Sequence, residues 1–365
     1  MDDPFIFIKK IFIDYGYSKP LNYYNRLVFI FHTCSLTLES YFMLKNFSLD
    51  FFTKYGCALI LSHYLLLSQF VTLLNKELIK ELIDKRGRFF WTIDSSAPSV
   101  KNQILKKSLK FNRKYYFVLF WFVALEVTLL PIWGDLNETH LSPQVYKTYF
   151  ETWSPFFYYF YVFSFPLLAY HGIGFPATVF YFILQLDLQK ILLTDMVLRI
   201  PDSGQEAIYE NMCLCISQDK KLKKWIARIQ YLLKKLMALY ICVAFLCLIS
   251  VIFFILSNLT NSRSILAKSR FFCAGMAGGV VLYTFCESGQ LLMDYTEDVF
   301  STLTQCPWYG WNTKNRKLYV MFMQNTQKPL IINWGSVTLN YSFGGSVIKN
   351  CCSYALVFYK LRNGQ

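Results

Sequence analysis

Seven apolar stretches, each long enough to cross a bilayer, constrain this 365-residue chain more than any other feature. They run roughly 24–44, 52–74, 115–133, 156–184, 236–257, 270–293 and 330–358, and a span needs about 20 mostly apolar residues. Hydrocarbon offers the backbone no hydrogen-bond partner, so stretches of this length close their bonds internally as helices. The sequence therefore predicts an all-α membrane protein, a single domain of seven transmembrane helices. Composition agrees: 55% of residues are hydrophobic and 16% charged, where a soluble domain carries about 25% charged. The fourth stretch is interrupted by His171, Gly172, Gly174 and Pro176, which predicts a bend. The seventh is the most polar, with Ser336, Asn340, Ser342, Gly344, Gly345, Ser346, Asn350 and Ser353. One of its faces must meet protein or water rather than lipid.

The net charge of +14 forms no basic stripe apart from the apolar runs. That argues against nucleic acid as a partner and for basic loops beside a lipid bilayer. With the N-terminus inside, segments 1–26, 75–114, 185–235 and 294–329 hold 4, 11, 9 and 4 Lys plus Arg, 28 in all; the outer segments 45–54, 134–155, 258–270 and 359–365 hold 8. The positive-inside rule then places the N-terminus in the cytoplasm and the C-terminus outside. Three glycosylation sequons, starting at Asn46, Asn137 and Asn258, fall at or in the three loops so placed outside. A fourth, at Asn340, falls in the seventh span, where it could not be modified. In and at the end of 185–235, Leu222, Ile226, Ile229, Leu232, Leu233 and Leu236 form one apolar stripe beside Lys220, Lys221, Lys223, Lys224 and Arg228. This helix either lies on lipid headgroups or packs with other cytoplasmic helices, the preferred reading.

Several classes drop out. The eleven cysteines sit mostly inside apolar runs or in the cytosolic loops, and Cys213 and Cys215 are too close for a zinc knuckle. Phe5 to Ile13 is too short for a signal peptide and carries Lys9 and Lys10. A membrane enzyme would want a His-Asp or Cys-His cluster at one face, which His32, His63, His140 and His171 do not suggest. A transporter would show two related halves, and none is detectable. Nothing calls for a cofactor or metal. His171 has no second ligand at i+3 or i+4 and reads as a satisfied histidine of the bundle.

Phe285-Cys286-Glu287-Ser288-Gly289-Gln290 resembles the aromatic-Cys-x-x-Gly-Gln element of the insect odorant receptor family. Trp308-Tyr309-Gly310-Trp311 resembles its aromatic segment before the last span. Lys317-Leu318, Met323 and Pro329 fit its basic-apolar helix ending in proline, and Ser353-Tyr354 with the apolar run to Leu361 fits its ending. The likeness is best over 280–361 and looser at Leu130-Pro131-Ile132-Trp133 and Cys215-Ile216; Asp219 stands where many members carry histidine. The alternative is the related gustatory receptors, ligand-gated cation channels that end in Thr-Tyr and Gln-Phe. Ser353-Tyr354 and Lys360-Leu361 favour the odorant branch. Neither the Asp-Arg-Tyr nor the Asn-Pro-x-x-Tyr motif of G-protein-coupled receptors is present, and their orientation is opposite.

The resemblance implies a heterotetrameric, ligand-gated, non-selective cation channel in the plasma membrane, in the dendrites of olfactory sensory neurons. Each subunit gives its seventh helix to the pore and its cytoplasmic helices, here 294–329, to a shared anchor. One subunit type is a common co-receptor with an extended second cytoplasmic loop. That loop is only about 50 residues here, so this chain looks like the odorant-binding subunit. The family's constriction falls on Val357 and Leu361. On a wheel of about 100° per residue, Ser346, Asn350, Ser353, Val357 and Leu361 lie within about 80° of one another. A polar stripe suits a wet wall, and an apolar ring can gate by dewetting. Alternatively Ser and Asn only bond neighbouring helices. Lys360, near the outer mouth, either repels cations or is a solvated tail residue.

The resemblance also places a pocket for a small volatile hydrophobic ligand in the outer half of the bundle, between spans two, three, four and six, with five nearby. Matching positions are Trp133 on span three, Phe157, Tyr158, Phe160, Tyr161 and Phe165 on span four, and His63 and Tyr64 on span two. For any one of these aromatics, ordinary packing competes with ligand contact. Glu126 is a carboxylate within a span, which costs roughly 2.5–3.5 kcal/mol and normally has a partner. It contacts a polar ligand group, pairs with His63, or faces water.

Overall fold

The computed structural model describes residues 3–93, 96–129, 135–234, 237–258, 264–334 and 337–362. The chain enters through a short helix, α1 (Ile6–Ile8), and a π-helical turn, Lys9–Tyr15. The helices α2 (Lys19–Lys45), α3 (Leu49–Leu74), α4 (Lys76–Phe89) and α5 (Pro98–Leu129) follow. Then come α6 (Ser142–Phe150), α7 (Ser154–Arg199), α8 (Gln205–Lys234), α9 (Met237–Asn258), α10 (Ile265–Thr304) and α11 (Thr313–Thr326). A two-stranded antiparallel hairpin, β1 (Asn333–Trp334) and β2 (Val337–Thr338), leads into α12 (Tyr341–Arg362).

The seven apolar stretches coincide with α2, α3, α5, α7, α9, α10 and α12, a seven-helix membrane fold. Several starts are set by caps: Ser48 Oγ accepts from Phe51 N at 3.1 Å and Ser264 Oγ from Ala267 N at 3.2 Å. Among the described residues, five stretches are long and apolar enough to span by composition alone, the exceptions being α5 and α12. α7 is the central helix: it is buried along most of its length and packs on α3, α5, α8 and α10.

α7 stays helical through Gly172, Gly174 and Pro176. Gly172 serves packing, because a β-carbon there would lie 2.5 Å from the Leu65 side chain on α3. The last helix begins at Tyr341, not near 330, because Leu339 N bonds Ile332 O at 3.0 Å beside the hairpin and Asn340 Oδ1 caps Phe343 N at 2.8 Å.

The basic end of the bundle has its own core. Leu222, Trp225, Ile226 and Ile229 of α8 are buried against α4, α7 and α11, so the stripe packs on protein. Trp225 meets the rings of Phe90, Phe89 and Phe182 at 4.8, 5.6 and 5.7 Å. Buried charges here are paired: Asp187 with Lys107 at 2.5 Å and Lys190 at 3.1 Å, and Lys190 with Asp298 at 2.6 Å. Asp219, the departure from the family pattern, accepts from Tyr295 at 2.9 Å and pairs with Lys223 at 2.7 Å.

Candidate ligand cavity and pore-facing helix

Helices α3, α5, α7, α9, α10 and α12 surround a cavity of about 120 Å³. That is room for a small organic molecule rather than a single water. Its walls are largely hydrocarbon, from Leu61, Ile173, Ala244, Val251, Phe271 and Val281 among others. Polar groups enter at two places. Tyr64 on α3 donates to Gly172 O at 3.1 Å, and the Tyr240 hydroxyl on α9 lies 2.6 Å from that of Tyr64. Toward the loop before α6 stand Thr139, His140 and Arg270. Arg270 Nε donates to Thr128 O at 2.8 Å, and Nη1 to Asp135 O at 3.3 Å and Thr139 Oγ1 at 3.2 Å. This guanidinium ties α10 to the end of α5 and to Asp135 and Thr139 beyond it. Burial, and secondarily Arg270, push His140 down to about 4, so it is neutral at physiological pH. An apolar chamber with a few fixed polar groups holds a small hydrophobic molecule by shape and dispersion.

Of the residues singled out from sequence, Tyr64 and Phe165 line this cavity. Tyr161 stands one layer behind, its ring 5.7 Å from Phe165 and its hydroxyl 3.4 Å from His140 Nδ1. Tyr158 does not reach the cavity. It shares a face with Phe165 but sits about 10 Å further along the helix axis, half-buried against Tyr159. His63 is exposed and turns to α2, with Nε2 3.4 Å from Ser40 Oγ and Nδ1 2.8 Å from Leu59 O. Tyr64, the next residue, is turned inward to the cavity wall. Trp133 lies outside the described residues, as does the rest of Leu130-Pro131-Ile132-Trp133, and so does the Glu126 side chain. His171 is buried, with Nε2 3.1 Å from Asn25 Oδ1. Sequence reasoning set span five only near the pocket and missed Tyr240 on it; the signal was a lone tyrosine in an otherwise almost wholly apolar helix.

α12 has two faces. Gly344, Val347, Cys351 and Ala355 are buried toward α9 and α10, and Phe343 and Val347 also line the cavity. Ser346, Asn350, Ser353, Val357 and Leu361 are all exposed on the other side, Leu361 at 69%. The start of α12 is seated on the 285–290 motif: a β-carbon on Gly344 would lie 2.7 Å from Cys286 Sγ. Glu287 accepts from Tyr283 at 2.7 Å and from Tyr341, and Lys114 of α5 lies 3.4 Å away. One carboxylate thereby joins α5, α10 and α12. Of the sequons, Asn46 and Asn137 are exposed, and Tyr55 near the start of α3 donates to Asn137 O at 3.0 Å. The Asn258 side chain lies outside the described residues.

Residues 48–351 match the family described as 7tm Odorant receptor. No curated protein sequence matches the chain. The fold is similar to that of the insect olfactory receptor OR5 from Machilis hrabei, at 15% identity and a TM-score of 0.67 over 94% of this chain and 90% of that one. The same receptor solved in complex with eugenol matches at 14% identity and a TM-score of 0.63, over 92% of this chain and 88% of that one.

Proposed function

Because the chain belongs to the 7tm Odorant receptor family, we propose that it is the odorant-binding subunit of a heteromeric, ligand-gated, non-selective cation channel. One observation carries this reading: Phe343 and Val347 of α12 line the apolar cavity, while Ser346, Asn350, Ser353, Val357 and Leu361 of the same helix stay uncovered within the subunit. A ligand held in the cavity touches the helix that would line the pore. It opens the channel only insofar as it binds the open arrangement more tightly than the closed one. The charge bias supports a cytoplasmic N-terminus, and the short second basic loop supports partnership with a longer co-receptor. The plasma membrane of olfactory neuron dendrites is the corresponding location.

The test is electrical. Cells expressing the chain with an odorant co-receptor are exposed to a panel of volatiles that includes eugenol. A ligand-evoked, non-selective cation current is expected from the pair and little from the chain alone. Strong currents from the chain alone would remove the heteromer, and silence to every volatile at normal surface expression would remove the odorant-binding role.

A further inference from the structure

A second cavity, of about 380 Å³, lies between the N-terminal π-helical turn and helices α5 and α7. Phe12 and Tyr15 form one side, and Leu119 and Tyr170 the other. The Tyr170 hydroxyl donates to Ile11 O at 2.7 Å, and its ring stacks on Phe12 at 5.9 Å, so it shows the cavity a satisfied, apolar surface. The inner end is closed by Phe122 and Ile173, which also line the central cavity. The mouth lies beside lipid. Tyr15 is exposed, and next to Leu119 the spanning helix α5 exposes Tyr116, Phe117 and Phe120 by 57, 54 and 61%. Water gains little in such a chamber, whereas a hydrocarbon chain from the adjoining bilayer fills it without desolvation cost. Lys10 is the one charged residue of the wall. Lys9 is paired with Asp14 at 3.7 Å, but exposed Lys10 makes no ion pair among the described residues. Its ammonium stands where the headgroup of an inserted chain would lie.

We propose that this cavity is a lipid site that takes one hydrocarbon chain with an anionic head, its chain between Phe12, Leu119 and Tyr170 and its head at Lys10. Phe122 and Ile173 make the wall that this site shares with the central cavity. The proposal does not rest on the odorant reading, because occupancy is measured without channel activity.

The full-length chain is reconstituted in phosphatidylcholine vesicles with palmitic acid carrying a terminal diazirine, irradiated, and mapped by mass spectrometry. Saturable labelling is expected on the segments holding Phe12, Leu119 and Tyr170, competed by unlabelled palmitate. Leu119→Trp should cut it several-fold and leave labelling at lipid-facing Phe163, 72% exposed, unchanged. Leu119→Phe serves if the larger ring prevents folding. Lys10→Gln should raise the palmitate needed for half-competition about fivefold without altering competition by hexadecanol, the size expected for one lysine at a membrane surface. Adding phosphatidylserine separates the sources: reduced labelling points to a phospholipid chain, unchanged labelling to a free fatty acid. Labelling that does not saturate, or that persists at wild-type level in both Leu119 variants, would overturn the site, and an inert Lys10→Gln would overturn the anionic head.

Discussion

Gly289 on α10 and Leu339 at the entrance to α12 approach so closely that a β-carbon on Gly289 would overlap the Leu339 carbonyl oxygen. The contact is to backbone, so no rotamer change relieves it. Gly289→Ala is expected to push α12 off its seat, at an overpacking cost of about 1–3 kcal/mol, and to abolish evoked current. Gly279→Ala on the same helix has open space around its new methyl and should be neutral. Surface expression and thermal melting of both variants check this, and two equal variants would show that the seat has no role.

The hydroxyl pair of the cavity gives an ordered prediction. Tyr64→Phe leaves the Gly172 carbonyl and the Tyr240 hydroxyl each short of a partner, whereas Tyr240→Phe keeps the bond from Tyr64 to Gly172. Tyr64→Phe should therefore shift agonist sensitivity more, by about fivefold for a loss near 1 kcal/mol. Tyr158→Ala should change it little, as that ring lies outside the cavity. Dose-response curves, with activation through the co-receptor as the assembly control, decide the order.

Val357→Ser and Leu361→Ser are expected to raise resting conductance or alter ion selectivity, because a hydroxyl lowers the cost of wetting a narrow apolar ring. Both side chains are exposed in the single subunit. In the proposed heteromer the co-receptor's own residues would dilute the effect. Wild-type leak and selectivity in both, at normal surface expression, would exclude these positions from the pore.

His140 predicts an acid-sensitive stability. The folded protein keeps it neutral down to about pH 4, while the unfolded chain takes up a proton near 6.5. Stability should fall as pH drops from about 6.5 toward 4, by an amount on the order of 3 kcal/mol, and this group should contribute nothing above about pH 7. Melting temperatures of the detergent-solubilised protein and of His140→Gln across this range test it: the variant should show the shallower slope.

For topology, Lys106→Cys near the start of α5 should resist a membrane-impermeant maleimide applied to intact cells, and Asn137 should accept a glycan. The 28-to-8 charge bias motivates both. Labelling from outside would reverse the orientation.

The lengths of the apolar runs marked most of the seven spans, because a backbone in hydrocarbon must satisfy its own hydrogen bonds, whereas α5 and α12 are too polar to qualify by composition alone. The 285–290 motif was also legible as sequence, and its physical reason is that Cys286 and Gly289 form the floor on which α12 begins. Only the tertiary structure decided which side of each span looks inward. A membrane helix is apolar toward lipid and protein alike, so periodicity does not tell the two apart. That is why His63 and Tyr64 were indistinguishable in the sequence, and why Tyr240 was overlooked. Likewise Ile331, Ile332 and Val337 read as the start of a span by hydropathy alone. Their place in and beside a hairpin follows from the bond between Leu339 and Ile332 and from the Asn340 cap that delays the last helix to Tyr341.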